Sequence, residues 1–286
     1  MKKITLIADS GSTKTDWLLG TTRLQTQGIN PFHQDDDTIR RILHDELLPQ
    51  LAALCQETAS SFHLPLSTPH QLSFYGSGVR PELEPKLVSL LREAFPMARH
   101  IEAHSDLLGA ARALCGHEEG IACILGTGAN SCLYDGERIV SNTPPMGYIL
   151  GDEGSGAVLG IRLLGALYKG QLSDVLRRQF EDWTGMQLAD VIARVYREPL
   201  ANRWLASLSP FVRQHLGDES IRGLVVNNFR DFIRRNIVPY QRPDLPLHAV
   251  GSIAYYYEQQ LQEAARQEGY AIGVVVRSPL DRPQHL

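Results

Sequence analysis

Two short turns limit what this chain can fold into. The first, DSGSTKTD at Asp9 to Asp16, stands between the apolar runs ITLIA and WLL; the second, GTGAN at Gly126 to Asn130, stands between ACIL and SCLY. Each joins two segments with strand character, so each is a hairpin turn rich in glycine and hydroxyls. A chain that opens both of its halves in this way has a duplicated architecture without a duplicated sequence.

The segments after each hairpin extend the pattern. Apolar residues Ile39, Ile42, Leu43, Leu47, Leu51 and Leu54 recur at helical spacing, with Asp37 or Thr38 as the cap. HQLSFYGSGV reads as a strand that breaks at Gly76 and Gly78, PELEPKLVSLLREAF as a helix, ARHIEAHSD as a strand, and DLLGAARALCG as a helix ended by Gly116. In the second half a long helical stretch follows the hairpin, then LPLHAVGSIAYYYEQQLQEAARQEG reads as strand, glycine turn and helix, and YAIGVVV as a closing strand. Strands alternating with helices predict an α/β fold. The domain boundary is expected near Gly116 to Gly120, giving domains 1–117 and 118–286, with a helical insertion at about 163–240.

Composition narrows the partners. A chain of 286 residues with 43% hydrophobic residues can bury a sizeable core, and a formal net charge of −4 gives no general attraction for nucleic acid or an anionic membrane. A small-molecule partner is expected. Asp9 stops the first apolar run short of the roughly 7 to 15 residues of a signal peptide, and no stretch approaches the roughly 20 apolar residues of a membrane span, so a cytoplasmic location is expected. Cys55, Cys115, Cys123 and Cys132 form no C-x-x-C pair and read as reduced, mostly buried thiols. His100 and His104 lie on an extended run, where four residues span about 13 Å, too far to share one ion.

Phosphate is a plausible guest for the first turn. Its backbone N–H groups and the hydroxyls of Ser12, Thr13 and Thr15 can donate, Lys14 offers a point charge, and Asp9 can hold Mg2+ directly or through water. STKT is not a Walker loop, because Thr13 and Ala8 stand where that motif needs glycine. The second turn again offers glycines and a threonine hydroxyl, and a third, AVGSIA at Ala249 to Ala254, enters a helix and suits adenosine or a further phosphate contact.

These three turns, in this order, resemble the two phosphate motifs and the adenosine motif of the sugar kinase, heat-shock chaperone and actin superfamily. More narrowly, DSGSTKT, GTGANS, GYILGDEGSGA and AVGSIA resemble the family that joins N-acetylglucosamine kinases with the ATPase activators of acyl-CoA dehydratases. The resemblance covers nearly the whole chain. It implies two duplicated actin-like, ribonuclease H-like domains with an interdomain cleft, ATP and Mg2+ as cofactors, and a homodimer through the second domain. It departs at Ser10, where the family usually has a second glycine.

What the resemblance implies for single residues is specific. Gly11, Ser12, Thr13, Lys14, Thr127 and Gly128 meet phosphates, Gly251 and Ser252 face the nucleotide, and Asp9 serves Mg2+. Asp106 is the general base, although Ser105 and Asp106 are both good helix caps by residue type alone. Asn30, Ser77, Asn130, Gly147 and Asp152 contact the sugar; Asn30 reads equally as a turn residue before Pro31. The expected activity is phosphorylation of N-acetylglucosamine or glucosamine at the 6-hydroxyl, and the 6-position comes from the resemblance alone. No arginine cluster surrounds these positions, which favours a neutral or amino sugar over an anionic one. A dehydratase activator would need paired cysteines for its cluster, a glycoside hydrolase using Asp106 and Asp152 would leave the phosphate turns without purpose, and a non-catalytic sugar-binding relative would be expected to lack the base.

Overall fold

The computed structural model describes residues 4–11, 13–58 and 69–286, with backbone only for 55–58. The chain divides into two compact units, 1–113 with 279–286, and 114–278. The sequence reading runs the second domain to the C-terminus. The last residues instead belong with the first unit, because Leu280 packs with Ile7, Leu18 and Tyr75, and Asp281 pairs with Arg23 at 2.6 Å.

In the first unit, β1 (Thr5–Ser10), β2 (Lys14–Leu19), β3 (Thr22–Gln27), β4 (Gln71–Gly76) and β5 (His100–Ser105) form one sheet in the order β3-β2-β1-β4-β5. β1, β4 and β5 run parallel, and β2 and β3 fold back antiparallel. In the second unit, β6 (Gly120–Leu125), β7 (Ala129–Tyr134), β8 (Ile139–Ser141), β9 (Leu247–Val250) and β10 (Ile272–Val276) form a sheet in the order β10-β9-β6-β7-β8. Read from its other edge, as β8-β7-β6-β9-β10, this is the first order again, so the duplication read from two turns extends to whole sheets. β3 and β8 are additional to the sequence reading, which gives each half a two-stranded opening. TRLQTQ is a polar strand at the sheet edge with almost no apolar alternation, and IVS has three residues, so neither carries a strand pattern of its own.

Helices cover the sheets. α1 (Asp36–Arg41) is capped by Asp35, not by Asp37 or Thr38, through a 2.9 Å bond from the Thr38 N–H to Asp35 Oδ1. It runs through a π-helical turn, Ile42–Leu47, into α2 (Leu48–Thr58). α3 (Glu84–Ala94) and α4 (Asp106–Cys115) follow β4 and β5. In the second unit come the short α5 (Gly147–Leu150), then α6 (Gly156–Tyr168), α7 (Asp174–Thr184), α8 (Leu188–Tyr196), α9 (Ala201–Ala206), α10 (Ser209–Gln214) and α11 (Glu219–Phe232). α11 ends in a second π-helical turn, Ile233–Ile237, and α12 (Ser252–Tyr256) and α13 (Glu258–Gln267) follow β9. Each π-turn ends two residues before a proline, Pro49 or Pro239. Proline lacks the N–H and its ring clashes with the carbonyl four residues back, and a widened turn relieves both conflicts.

The core of the first unit holds Leu6, Ala8, Trp17, Ile29, Phe74 and Leu91; that of the second holds Leu125, Ala157, Leu163, Phe229, Ile253 and Leu261. Inward positions alternate along β1, where Leu6 and Ala8 join this core while Ile7 faces Leu280.

Candidate active site

The three parallel strands of the first sheet end in one row: Ser10 pairs with Gly76, and Gly76 with Ser105. The residues that follow, Gly11, Ser77 and Asp106, therefore emerge side by side at the carboxyl ends of the strands, where open α/β sheets bind ligands. The Ser77 N–H donates to the Ser10 carbonyl at 2.8 Å, and Ser77 Oγ donates to Asp106 Oδ2 at 2.6 Å. Ser105 Oγ accepts the Leu108 N–H at 3.3 Å and so caps α4. Capping and carboxylate chemistry are divided between neighbours, which leaves the Asp106 carboxylate turned to Ser77. Burial raises the Asp106 pKa above the usual carboxylate range; the Ser77 hydroxyl and the backbone N–H groups of Leu107 and Asp106 oppose that shift.

Ser10, the departure from the family pattern, points inward. Its hydroxyl is fully buried, lies 2.7 Å from Thr15 Oγ1, donates to the Ile29 carbonyl at 2.9 Å and accepts the Ile29 N–H at 3.0 Å. This knot ties the first turn to the segment that bears Asn30. The turn closes with the Gly11 N–H on the Lys14 carbonyl at 3.0 Å, and Gly11, Thr13 and Lys14 are exposed. Lys14 is held by the residue two places on along the same face of β2, with Nζ 2.7 Å from Asp16 Oδ2. Asp9, half-buried one residue before the end of β1, supplies an oxygen donor of the kind Mg2+ prefers. Asn30 combines both readings of its sequence. Its Oδ1 accepts the Phe32 N–H at 3.0 Å, as in an Asx turn, while its side chain lies against Gly78, where any Cβ would overlap it and where φ is +77°. Ser12 lies outside the described residues.

Gly109 brings α4 to its place. A Cβ there would stand 2.6 Å from Tyr75 Cγ, so the helix backbone lies directly on the Tyr75 ring. Tyr75 Oη accepts from Arg112 at 2.8 Å and sits beside Glu102, which also takes the Ser73 hydroxyl at 2.9 Å and lies 3.3 Å from His104 Nε2. The His104 contact, aided by Ser73 and Arg112 and opposed by burial, holds the Glu102 pKa at about 2, and His104 is raised in return.

The second unit repeats the row of strand ends: Ile124 and Val276 both pair with Val250, so the turns after β6 and β9 are adjacent. The second turn is closed by the Gly126 N–H on the Gly128 carbonyl at 3.0 Å, and the first N–H groups of α6, from Gly156 and Ala157, donate to the Gly126 and Thr127 carbonyls at 2.8 and 3.2 Å. Ser155 caps α6 through the Val158 N–H at 3.1 Å. The glycines of EGSGAVLG serve packing: a Cβ at Gly156 would meet Ala206 at 3.1 Å, and one at Gly160 would overlap the Leu205 carbonyl. α9 therefore packs backbone to backbone on α6.

A cavity of about 730 Å³ opens beside this contact, between Gly126 and Thr127 of the second turn, Ser252 of the third, and the helical middle through Arg203, Ser207 and Arg213. That volume suits a ligand of nucleotide size. On the other side of the second turn, Asp152 lies against Gly128, where a Cβ would stand 3.0 Å from its Oδ2. Asp152 adopts a left-handed conformation, φ +54°, which a non-glycine residue holds only when its surroundings over-determine it. Its carboxylate accepts the Ala129 and Gly147 N–H groups, yet burial and the nearby Glu153 carry its pKa up to about 6. Asn130 Oδ1 accepts from Asn142 Nδ2 and the Ser131 N–H, both at 2.9 Å.

No family model and no curated protein matches the chain. A solved structure from Porphyromonas gingivalis, named "Putative N-acetylglucosamine Kinase", is 47% identical over 98% of this chain and 96% of that one, with a TM-score of 0.89. The chain belongs to the N-acetylglucosamine kinase-like family of actin-fold sugar kinases. A Chromobacterium violaceum structure with the same name, 17% identical at a TM-score of 0.70 over 98% of this chain and 96% of that one, shares the fold. So does MamK bound to AMPPNP, 12% identical at a TM-score of 0.50 over 97% and 95%.

The carbohydrate kinase thus gathers its expected site residues into one group per unit: Asp9, Gly11, Thr13, Lys14, Asn30, Ser77 and Asp106 in the first, and Thr127, Gly128, Asn130, Gly147, Asp152, Gly251 and Ser252 in the second. Within the second group, Thr127 and Ser252 line the cavity, while Asp152 lies against Gly128 and accepts the Ala129 and Gly147 N–H groups. Glu153 turns elsewhere: its carboxylate accepts from Arg235 at 3.1 Å and Asn236 at 3.3 Å, fastening the Asp152 loop to the second π-turn of the kinase. Sequence reasoning missed Arg203, Ser207, Arg213 and Tyr256, because the helical middle offers no glycine or hydroxyl motif. The only hint was the aromatic run Tyr255 to Tyr257 directly behind the third turn. Among the described residues, Cys123 and Cys132 are buried thiols with raised pKa values, and no helix is long and apolar enough to cross a membrane.

Proposed function

We propose that the kinase transfers the γ-phosphoryl group of ATP to the 6-hydroxyl of N-acetylglucosamine or glucosamine, with Asp106 as general base. The observation that carries this reading is the division of labour at the start of α4. Ser105 caps the helix, and Asp106, half-buried at the end of β5, is oriented by a 2.6 Å bond from Ser77. A sugar hydroxyl must lose its proton as it attacks phosphorus, and a positioned carboxylate contributes about 10²- to 10⁴-fold. Burial makes Asp106 a stronger base once ionised.

The exposed Gly11, Thr13 and Lys14, with Ser12, receive phosphate oxygens, as do Thr127 and Gly128, while Gly251 and Ser252 face the nucleotide. Asp9 would hold Mg2+, directly or through water, and the ion would offset the charge of the phosphates. Asn30, Ser77, Asn130, Gly147 and Asp152 supply short acceptors and donors for sugar hydroxyls. The amino-sugar substrate and the 6-position rest on the family and on the name of its Porphyromonas gingivalis member.

The test is ADP release from Mg-ATP with N-acetylglucosamine, glucosamine, N-acetylmannosamine, N-acetylmuramic acid, glucose or no sugar, for wild type and Asp106→Asn. Sugar-dependent release that falls at least about 10²-fold in the variant supports the proposal. Sugar-independent release, or an unaffected variant, removes it.

A further inference from the structure

The cavity of the second unit ends on residues for which the phosphate turns have no use. Arg213 of α10 holds its guanidinium 4.4 Å from the centre of the Tyr256 ring on α12. A second tie joins the same two walls: Tyr257 Oη donates to the Ser209 carbonyl at 2.6 Å. Arg213 is thus carried by a braced wall. Among the described residues it has no carboxylate partner, and the residues lining the cavity include no acid. An unneutralised planar cation facing a cavity of this size points to a ligand that is both anionic and flat.

We infer that Arg213, seated on Tyr256, is the stacking platform for the nucleobase; this rests on the reading of the cavity as the nucleotide site. The guanidinium carbon lies 4.4 Å over the tyrosine ring, and the side of the group away from that ring can take a purine, since guanidinium stacks on π-systems as readily as it pairs with anions. Thr127, at the turn end of the cavity, receives the phosphates, so the base lies toward the helical middle. A base held by its face is not read by its edge, and every purine presents a similar face. The kinase therefore accepts purine nucleotides with little discrimination, and the helical middle, not the duplicated sheets, holds the base.

The test compares wild type, Arg213→Ala, Arg213→Lys and Tyr256→Leu, each checked for folding by its thermal midpoint. Measured are KM for ATP, GTP and sugar, and the affinities for adenosine and for inorganic tripolyphosphate. Arg213→Ala is expected to weaken ATP and adenosine by roughly 5- to 100-fold while the sugar KM and tripolyphosphate affinity stay within about twofold. Arg213→Lys, which keeps the charge and loses the plane, should be nearly as weak as alanine; Tyr256→Leu, which removes the ring under the guanidinium, should weaken ATP and adenosine in the same direction as Arg213→Ala. Wild-type kcat/KM for ATP and GTP should agree within about tenfold. Rescue by lysine, or loss of tripolyphosphate affinity in Arg213→Ala, would make Arg213 a phosphate ligand and overturn the platform. ATP binding indifferent to Arg213 would also overturn it. Wild-type protein that binds no nucleotide at all would instead overturn the reading of the cavity, and the platform with it.

Discussion

Replacing Gly109 by alanine tests how Asp106 is held. The added Cβ would stand 2.6 Å from Tyr75 Cγ, 2.7 Å from its Cβ and 2.8 Å from Cδ1, all near the root of a buried side chain. Ordinary contact begins at 3.4 Å, so the gap must open by at least 0.8 Å (3.4 minus 2.6). The Tyr75 ring cannot yield, because its hydroxyl is pinned by Arg112 at 2.8 Å and faces Glu102. α4 must therefore shift, and its first residue is Asp106. Overpacking of this kind costs about 1–3 kcal/mol, while alanine returns about 1 kcal/mol of helix propensity, leaving a net loss of about 0–2 kcal/mol. At roughly 2–4 °C per kcal/mol for a unit of this size, the thermal midpoint falls by up to about 8 °C. Activity falls further than stability, because a misplacement near 1 Å can cost about 10²-fold. The assay is ADP release at saturating sugar and ATP, at a temperature where the variant is fully folded. Gly223→Ala in α11, where a Cβ meets nothing within 4 Å, is the control and should gain about 0.4–1 kcal/mol with unchanged turnover. A Gly109→Ala protein with wild-type turnover would show that Asp106 does not depend on this close approach.

Other outcomes follow from the same geometry. Ser105→Ala removes the cap of α4 and should lower stability by about 1 kcal/mol, measured by denaturant titration, whereas Asp106→Asn, which removes a charge that burial penalises, should not lower stability at pH 7 and should cut turnover at least about 10²-fold. Asp152 has a folded pKa raised from 3.8 to about 6, so the folded state favours its proton and the native protein loses stability as pH rises between those values. Asp152→Asn should therefore gain thermal midpoint relative to wild type at pH 7.5 but not near pH 4; an equal difference at both would contradict the shift. Glu102 has a folded pKa lowered from 4.5 to about 2, so its contribution is present above 4.5 and lost as pH falls toward 2. Glu102→Gln should accordingly destabilise at pH 7 and converge on wild type in acid, followed by thermal melts across pH.

Much of the fold was legible because it is repeated. Alternating apolar strands and glycine-broken hairpins are local signals, and the two opening turns marked both halves. β3 and β8 were not legible, since an edge strand such as TRLQTQ or IVS is specified by its partner's open hydrogen bonds rather than by its own side chains. The C-terminal segment was also misassigned, because nothing local says that Leu280 will pack on Ile7 and Leu18 of the first sheet.

The candidate site divides in the same way. Sequence alone determined which residue types stand at the strand ends: the acids at Asp9 and Asp106, the hydroxyls of the first turn, and the glycines of the second and third. Those positions are fixed by where a strand stops, and strand ends are written in glycine and hydroxyl residues. The tertiary structure decided how these residues are used. It turned Ser10 inward, gave the cap to Ser105 and turned the Asp106 carboxylate to Ser77, spent Glu153 on Arg235, and brought Arg213 and Tyr256 to one cavity from positions 43 residues apart. The physical reason is range. Backbone turns depend on a few neighbouring residues, whereas hydrogen-bond partners, burial and the shifts they cause depend on what the packed sheets and helices bring together from distant parts of the chain.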